Sequence, residues 1–393
     1  MSPSPDISPL ARPVTRPAMQ PATQPILWAD SNREAAFTQW LGSLATPQAL
    51  IPASLRLASA DASFRRYLSV DSSDPQVGRR IIMDAPPDKE NCKAFVDVAH
   101  LMAAAGVNVP QVLAWDEPHG FMLLSDLGNQ TMMQVIDRDN PQANYAMYMQ
   151  AVDVLITLQQ ASKPNVLPPY DEPLLRRELA LFPDWYLAQH RGVAVEGEVR
   201  STLDAAFNHI VAQNLAWPSV YVHRDFMPRN LMTPTLPEGA VSPWGGPAAK
   251  LSAHQNYCLG VLDFQDAVYG PITYDIASLM RDAFLTWEED FVLDITIRYW
   301  EKARKAGLPV GDDFGEFYRG VEWMGLQRHL KVAGIFARLT LRDGKPQYLA
   351  DTPRFIHYIR ATTSRYRELK PLLRLVDRIE GIESATGFAY GRV

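Results

Sequence analysis

The sequence predicts an α+β protein of two lobes, a small antiparallel sheet followed by a larger and mainly helical lobe. Before residue 125, short segments alternate between apolar and polar residues or are rich in β-branched residues, which is typical of half-buried strands. From residue 145 onward, most segments carry apolar residues at helical spacing. A chain of 393 residues with 47% apolar residues is long enough to bury two cores.

The N-terminal lobe, predicted over 28–124, is expected to contain a five-stranded sheet. Strands are predicted within 55–70 and 80–83, and a hairpin over 112–124 turns around the sequence EPHG. A helix over 32–44 precedes the sheet, and a second helix over 89–105 ends at Gly106. Glycine is common at this position because it tolerates a left-handed backbone.

The C-terminal lobe, predicted over 125–393, is expected to be mostly helical, with two short strands over 220–223 and 260–263. The segment 234–258 between these strands is rich in Pro, Gly, Ser and Ala, which predicts a long, mobile surface loop. Residues 1–27 are rich in proline and are predicted to be a disordered tail. The predicted helices cover 145–160, 174–189, 198–214, 274–284, 291–306, 314–341 and 354–379.

Composition and charge exclude several classes of protein. The net charge is −6, from 38 basic and 44 acidic residues, which argues against a general nucleic-acid binder. No apolar run approaches the roughly 18–20 residues that span a bilayer, so no membrane insertion is expected. The N-terminus lacks the apolar core of a signal peptide, and there are only two cysteines, so a cytoplasmic location is expected.

The segment 223–230, HRDFMPRN, carries the strongest chemical signal. It reproduces the pattern H-R-D-x-x-x-x-N, with Asp225 and Asn230 at the required spacing. Phosphoryl transfer uses a carboxylate beside the incoming hydroxyl and, five residues later, an amide oxygen that can bind Mg²⁺. Asp263, in VLDFQD, follows and matches a second metal-binding carboxylate at the end of its own strand. A loop held together by charged residues is the structural alternative, but both motifs in this order favour phosphoryl transfer.

On these motifs the chain resembles the aminoglycoside phosphotransferase and choline kinase superfamily, which has a protein-kinase-like fold. The resemblance covers residues 32–380 and is closest to the bacterial anomeric sugar kinases of cell-wall recycling. It rests on the blocks ASFRRY, IIMDAPPDKENCKAF, HRDFMPRNLM, LDFQDAVYGPITYDIASLMRDAF and WMGLQRHLKVAGIFARL. It implies ATP and Mg²⁺ as cofactors and an amino sugar, N-acetylmuramate or N-acetylglucosamine, that is phosphorylated at its C1 hydroxyl.

The resemblance also implies roles for individual residues of the site. Asp225 would orient or deprotonate the sugar hydroxyl, and Asn230 and Asp263 would bind Mg²⁺. His223 is expected to brace the loop rather than to bind a ligand. Asp275 is expected to accept backbone hydrogen bonds that hold the loop.

For the nucleotide, the resemblance implies contacts in two places. Ser63 and Arg65 lie in the turn between the first strands, where they would meet phosphate, although solvated turn residues are equally compatible with the sequence. Ser125 and Leu127 follow the last strand of the sheet, where the backbone would meet adenine. The strand that should carry V-A-I-K has I-I-M-D over 81–84, so the expected phosphate-binding lysine is missing.

Sugar contacts are expected from polar and aromatic residues that follow the motifs. These side chains can recognise a pyranose, but the same positions could belong to the core or to a solvated helix face. The candidates are Gln265, Arg281, Asp282, Trp323 and Arg328.

Two rival functions remain open from the sequence. One is another small-molecule kinase, for amino alcohols or aminoglycosides, although several arginines among the candidates disfavour a polycationic substrate. The other is a nucleotide-binding pseudokinase that acts as a regulatory module. The missing lysine favours a pseudokinase, whereas the intact Asp225, Asn230 and Asp263 oppose it.

Overall fold

A computed structural model describes residues 26–28, 30–60, 64–234 and 258–383. Of the predicted tail over 1–27, residues 1–25 lie outside the described residues. Of the predicted loop over 234–258, residues 235–257 lie outside them. The chain divides into two compact units. The first comprises the described residues up to Glu90 together with Leu113–Leu124. The second comprises Asn91–Val112 and the described residues from Ser125 onward.

The first unit contains the predicted helix and five-stranded sheet. Helix α1 is Ser31–Ala45, and its N-cap residue Asp30 accepts a hydrogen bond from the backbone N–H of Asn32. The strands of the sheet are β1 Leu50–Ala60, β2 Arg66–Ser72, β3 Arg79–Asp84, β4 Val112–Asp116 and β5 Phe121–Ser125. Their order is β1-β2-β3-β5-β4, and β2 pairs antiparallel with both β1 and β3.

Helix α1 packs on the face of the sheet that carries Ile82, which contacts a core that includes Phe37 of the helix. Residues two apart in a strand share a face, so Asp84 also points towards α1. Its buried carboxylate accepts hydrogen bonds from the guanidinium of Arg33 in α1 and, at 2.5 Å, from Nε of Arg66 in β2. The strand that lacks the expected lysine therefore ends in an acidic residue that ties α1 to the sheet.

The second unit holds the remaining helices, including α2 (Cys92–Ala104), which was predicted to lie in the N-terminal lobe, and several short strands, two of which were predicted. Helix α2 ends before Gly106, whose φ of 88° is the left-handed conformation expected there. The strands are β6 Gln130–Thr131, β7 Ser219–Val222, β8 Leu231–Thr233, β9 Gly260–Val261 and β10 Val268–Pro271. The α-helices are α2 Cys92–Ala104, α3 Met132–Val135, α4 Tyr145–Gln160, α5 Glu172–Leu179, α6 Gly197–Leu215, α7 Thr273–Met280, α8 Glu289–Lys305, α9 Phe314–Leu341, α10 Thr352–Arg365 and α11 Lys370–Glu380.

Two predicted helices are interrupted. The helix expected over 174–189 is divided into α5 and a π-helical segment, Phe182–His190, whose first turn contains Pro183. Proline lacks the N–H that a continuous helix needs at that point. The helix expected over 354–379 is divided into α10 and α11 by Tyr366, which has extended backbone. Proline at the start of α11 is compatible with a new first turn, where its missing N–H costs little.

Helix α9 is the centre of the second unit and packs against α7, α10 and the π-helical segment. Gly334 allows the close approach to that segment, because a Cβ at this position would lie 2.2 Å from the carbonyl oxygen of Leu181. Although α9 has 28 residues, no helix among the described residues is both long and apolar enough to cross a bilayer.

Replacing Gly334 with Ala should lower the free energy of unfolding by about 1–3 kcal/mol, because the clash is with backbone that cannot rotate away. This loss should exceed the gain in helix propensity of about 1 kcal/mol. Gly42 in α1 is the matched control, since a Cβ there meets nothing within 4 Å. Urea unfolding followed by circular dichroism measures both variants. A Gly334→Ala protein as stable as Gly42→Ala would contradict the packing argument.

Candidate active site

The 223–230 loop is held at both ends by short strands. Strand β7 precedes the loop and pairs antiparallel with β10, with Val222 opposite Val268, while β8 follows the loop and pairs with β6 and β9. Two non-glycine residues nearby have left-handed backbone, Arg224 with φ 76° and Asp263 with φ 65°. Such conformations cost roughly 1–3 kcal/mol each and are concentrated at functional sites. They support the assignment of this region as the site.

Asp275 in α7 holds the loop through its backbone. The carboxylate is fully buried, and it accepts hydrogen bonds from the N–H of His223 at 2.7 Å and from the N–H of Arg224 at 3.0 Å. Burial raises the pKa of Asp275 to about 6, although the backbone N–H groups of His223 and Arg224 favour the ionised form. The predicted role of Asp275 is confirmed by these two bonds.

The side chain of His223 braces the loop from within. Its Nδ1 accepts the N–H of Asp225 at 3.2 Å, so Nε2 carries the proton and donates to the carbonyl oxygen of Leu262 at 2.9 Å. Burial lowers the pKa of the ring, which agrees with a neutral imidazole. The predicted bracing role is confirmed, and the ring joins the segments that carry Asp225 and Asp263.

Asp225 is the accessible carboxylate of the loop. Its side chain is 42% exposed, so the hydroxyl of a small molecule can reach it, and its Oδ1 lies 4.0 Å from Nη2 of Arg328. Desolvation opposes ionisation, but the charges of Lys331 and Arg328 outweigh it and lower the pKa of Asp225. The carboxylate is therefore ionised and able to accept a hydrogen bond.

Asn230 and Asp263 form a pair of oxygen donors beside Asp225. The amide nitrogen of Asn230 donates to the carbonyl oxygen of Asp225 at 2.8 Å and lies 3.4 Å from Oδ2 of Asp263. Because this nitrogen is committed, the amide oxygen remains for a cation. Mg²⁺ is typically held by one or two carboxylates plus substrate phosphates and water. Within the described ranges, no three His, Cys, Asp or Glu side chains are placed to hold a metal ion together, and such a Mg²⁺ site does not need three.

A buried cluster of charges lies beneath the loop. The carboxylate of Glu178 in α5 accepts from Arg224 at 2.5 Å and from Lys331 of α9 at 2.8 Å. Burial opposes its ionisation, but the charges of Lys331 and Arg224 outweigh burial and lower its pKa to about 2. Arg328 of α9 donates to the carbonyl oxygen of Arg224 and stacks 4.9 Å from the ring centre of Tyr274. The three cations therefore face the carboxylates of Glu178, Asp225 and Asp275.

Three of the predicted sugar contacts lie near the loop. Gln265 donates to Oδ1 of Asp263 at 2.9 Å. Arg328 holds the carbonyl oxygen of Arg224, and its charge opposes the rise that burial causes in the pKa of Asp282. Because only 3% of the Arg328 side chain is exposed, its main contacts are with the protein.

The other two predicted sugar contacts are buried among the helices of the second unit. Nη2 of Arg281 lies 3.3 Å from carboxylate oxygens of both Glu289 and Glu322. The ring of Trp323 is 2% exposed and packs 5.4 Å from the ring of Tyr366. These surroundings are those of residues that hold the helices together.

In the first unit, Arg65 is paired with Glu90 at 2.9 Å, and the same carboxylate accepts the backbone N–H of Phe64 at 3.1 Å. Glu90 therefore anchors one end of the predicted phosphate-binding turn. Ser63, the other predicted residue of this turn, lies outside the described residues.

In the second unit, both backbone groups of Gln111 bond to Ser125. Its N–H donates to Oγ of Ser125 at 2.8 Å, and its carbonyl oxygen accepts the N–H of Ser125 at 3.0 Å. Leu127 packs closely over Gly260, where a Cβ would lie 2.8 Å from the leucine Cδ1. These contacts fix the segment in which Ser125 and Leu127 were predicted to meet adenine.

Glu178, which pairs with Arg224 and Lys331, was not among the predicted site residues. It shares the buried face of α5 with Leu175 and Leu179. An acidic residue on an otherwise apolar helix face is rarely buried without a partner. The position of Glu178 in the sequence therefore indicates a buried ion pair. The identity of the partner, Lys331, had no comparable local signal.

Asp225, Asn230 and Asp263 lie together as predicted for a phosphotransferase, and comparison with known proteins shows that the chain belongs to this class. The model of the family described as "Phosphotransferase enzyme family" matches residues 54–241 and 251–313. The chain belongs to this family.

Two similar proteins from bacteria share a more specific name. The chain is 47% identical over 339 residues to the N-acetylmuramate/N-acetylglucosamine kinase of Neisseria meningitidis, which covers 86% of this chain and 94% of that protein. It is also 47% identical over 325 residues to the protein of the same name from Pseudomonas aeruginosa, covering 83% of this chain and 88% of that one.

Among solved structures, the ethanolamine kinase of Plasmodium vivax aligns with a TM-score of 0.55 at 10% identity and covers 90% of this chain and 93% of that one. At this level of identity, the similarity concerns the fold alone. The predicted protein-kinase-like fold, the superfamily resemblance and the assignment as a phosphotransferase are confirmed.

Replacing Asp275 with Asn should weaken both the fold and activity. The side-chain amide of Asn has only one acceptor oxygen, and its NH2 group would face one of the two loop N–H groups. That N–H would lose its acceptor, and an unsatisfied buried donor costs about 1–3 kcal/mol. Thermal unfolding and turnover measure the two effects. Asp312→Asn is the control, because that side chain is 91% exposed. Wild-type turnover in Asp275→Asn would show that the loop does not depend on these bonds.

Proposed function

We propose that this protein is an ATP-dependent kinase that phosphorylates the anomeric hydroxyl of N-acetylmuramate and N-acetylglucosamine in peptidoglycan recycling. The observation that carries the proposal is the accessible, ionised carboxylate of Asp225 beside the oxygen donors Asn230 and Asp263. The choice of sugar is supported by relatives named N-acetylmuramate/N-acetylglucosamine kinase that are 47% identical to the chain. ATP use follows from the kinase family, and a cytoplasmic location would fit the use of ATP.

In the proposed reaction, Asp225 accepts a hydrogen bond from the C1 hydroxyl and orients the oxygen towards the γ-phosphorus. As the new P–O bond forms, the bond to the leaving ADP oxygen breaks, and the hydroxyl proton passes to the carboxylate of Asp225. The positive charge supplied by Lys331 and Arg328 keeps Asp225 ionised before the transfer. Oriented binding of this kind, together with fixed charges, accounts for most of the catalysis in phosphoryl transfer.

Asn230 and Asp263 are the residues that would hold Mg²⁺. Their oxygens are of the type that Mg²⁺ prefers, and the hydrogen bond from the Asn230 amide nitrogen to the loop fixes the direction of the amide. When bound, the ion would neutralise charge on the phosphates. Gln265, which bonds to Asp263, would fix the carboxylate of this pair.

For the sugar, we propose direct contacts from Gln265 and Asp282, with Arg328 supporting the loop beneath them. Arg281 and Trp323 are proposed to act through the helices that they hold, because Arg281 is bonded to Glu289 and Glu322 and Trp323 packs against Tyr366.

For the nucleotide, we propose phosphate contacts from the turn that contains Ser63 and Arg65. Arg65 has several N–H donors, so it can keep Glu90 while it contacts phosphate. The segment with Ser125 and Leu127 is proposed to receive the adenine. Glu90 and Arg65 would together take the place of the ion pair that other kinases build around the missing lysine.

Replacing Asp225 with Asn should lower kcat by about 10²–10⁴-fold, the range of a general base, while ATP binding and the fold persist. Turnover with N-acetylglucosamine, nucleotide titration and thermal unfolding measure these effects. Asp266→Asn is the control, because its exposed carboxylate lies in the same region and only its backbone meets Arg224. More than roughly a tenth of the wild-type kcat in Asp225→Asn would rule out this role.

The site of phosphorylation is tested by blocking the anomeric hydroxyl. The methyl glycoside of N-acetylglucosamine keeps the acetamide and the remaining hydroxyls, so it should inhibit the enzyme without being phosphorylated. Proton-coupled ³¹P NMR of the product from the free sugar should show coupling to the anomeric proton. Turnover of the methyl glycoside at a rate near that of the free sugar would leave a kinase that acts on another hydroxyl.

A further inference from the structure

Arg229 lies in the 223–230 loop immediately before Asn230, and its side chain is exposed. Its guanidinium stacks 4.8 Å from the ring centre of Phe284. Stacking uses the flat face of a guanidinium and leaves the N–H groups at its edge available. Within the part of the chain that the structure describes, no carboxylate forms an ion pair with Arg229, in contrast to Arg224 in the same loop, which pairs with Glu178.

The segment that carries Phe284 also presents an unusual buried carboxyl group. Asp282 is 2% exposed, and its Oδ1 accepts the backbone N–H of Phe284 at 2.9 Å. Its Oδ2 has no hydrogen-bond partner among the described residues. A buried carboxylate oxygen without a partner is costly, so a ligand that donates a hydrogen bond there would relieve the cost.

Arg229 and Asp282 belong to the same neighbourhood as Asp225. Burial raises the pKa of Asp282 to about 6, and the charges of Arg328 and Arg229 oppose that rise. Arg328 also lies 4.0 Å from Asp225. One buried cation thus lies close to both carboxyl groups, and Arg229 lies on the exposed side of the loop next to them. A sugar whose reacting hydroxyl meets Asp225 would have its other substituents near Asp282 and Arg229.

We propose that Arg229 recognises a carboxylate substituent on the sugar, while Oδ2 of Asp282 accepts a hydrogen bond from a hydroxyl or amide N–H of the same ring. Arg229 is then a specificity residue that favours a carboxylated amino sugar, such as N-acetylmuramate, over an uncharged counterpart. The planar guanidinium, held by Phe284, can donate two parallel hydrogen bonds to a carboxylate. This inference rests on the proposed function, because it assumes that the sugar reacts at Asp225.

The test compares N-acetylmuramate with its carboxamide, which has the same shape but no charge. For the wild-type protein, kcat/KM should be higher for the carboxylate by about tenfold or more, since charge-assisted hydrogen bonds are roughly twice as strong as neutral ones. In Arg229→Gln the preference should fall to about twofold or less by the same reasoning. Arg229→Lys keeps the charge but not the planar fork, so it should retain part of the preference.

Arg354→Gln is the matched control. Arg354 also lies near Asp282, but it is committed to the carbonyl oxygen of Ala283 at 2.9 Å and to Asp351 at 3.4 Å. This variant should keep the wild-type preference. Thermal unfolding verifies each fold, and Arg229→Met, which keeps the aliphatic stem over Phe284, replaces Arg229→Gln if that variant does not fold.

The inference is overturned if Arg229→Gln keeps the wild-type preference, or if Arg354→Gln loses as much of it. Failure of the proposed function gives a different result, because the wild-type protein would then phosphorylate neither N-acetylmuramate nor N-acetylglucosamine. A wild-type enzyme that phosphorylates both sugars but does not distinguish the carboxylate from the carboxamide would contradict only the role of Arg229.

Discussion

The carboxylate of Asp275 accepts the backbone N–H groups of His223 and Arg224, and the geometry of the site depends on these two bonds. Arg224 has a left-handed backbone, which costs roughly 1–3 kcal/mol. Hydrogen bonds to a charged acceptor contribute about 1.5–3 kcal/mol each, enough to offset that strain. His223 then ties the same turn to Leu262, so the segment that carries Asp263 is held by the same anchor.

The second constraint is the positive charge buried beneath the loop. Arg224 and Lys331 pair with Glu178, and Arg328 lies close to the carboxylates of Asp225 and Asp275. Negative charge develops when a phosphoryl group is transferred next to a carboxylate. Cations that are fixed in place and shielded from water stabilise this charge without having to reorganise. The cost of burying these cations is offset by Glu178 and by the ring of Tyr274. The same cations keep Asp225 ionised.

The first unit has the sheet that the resemblance implies but a different arrangement of charges. Where the resemblance leads one to expect a lysine, the end of β3 has Asp84, which faces α1 and is held by Arg33 and Arg66. At the predicted phosphate-binding turn, Arg65 pairs with Glu90. The absence of the expected lysine is therefore accompanied by other ion pairs in this unit.

The sequence by itself determined those features that depend on neighbouring residues. The spacing of Asp225 and Asn230, the helices α4 and α9 with their bounds, and the five-strand sheet follow from local periodicity and motif spacing. Tertiary structure alone decided which charges meet, because the partners are far apart in the chain. Glu178 and Lys331 are separated by 153 residues, and His223 and Asp275 by 52. No local pattern specifies such a pairing, since it depends on how the helices pack.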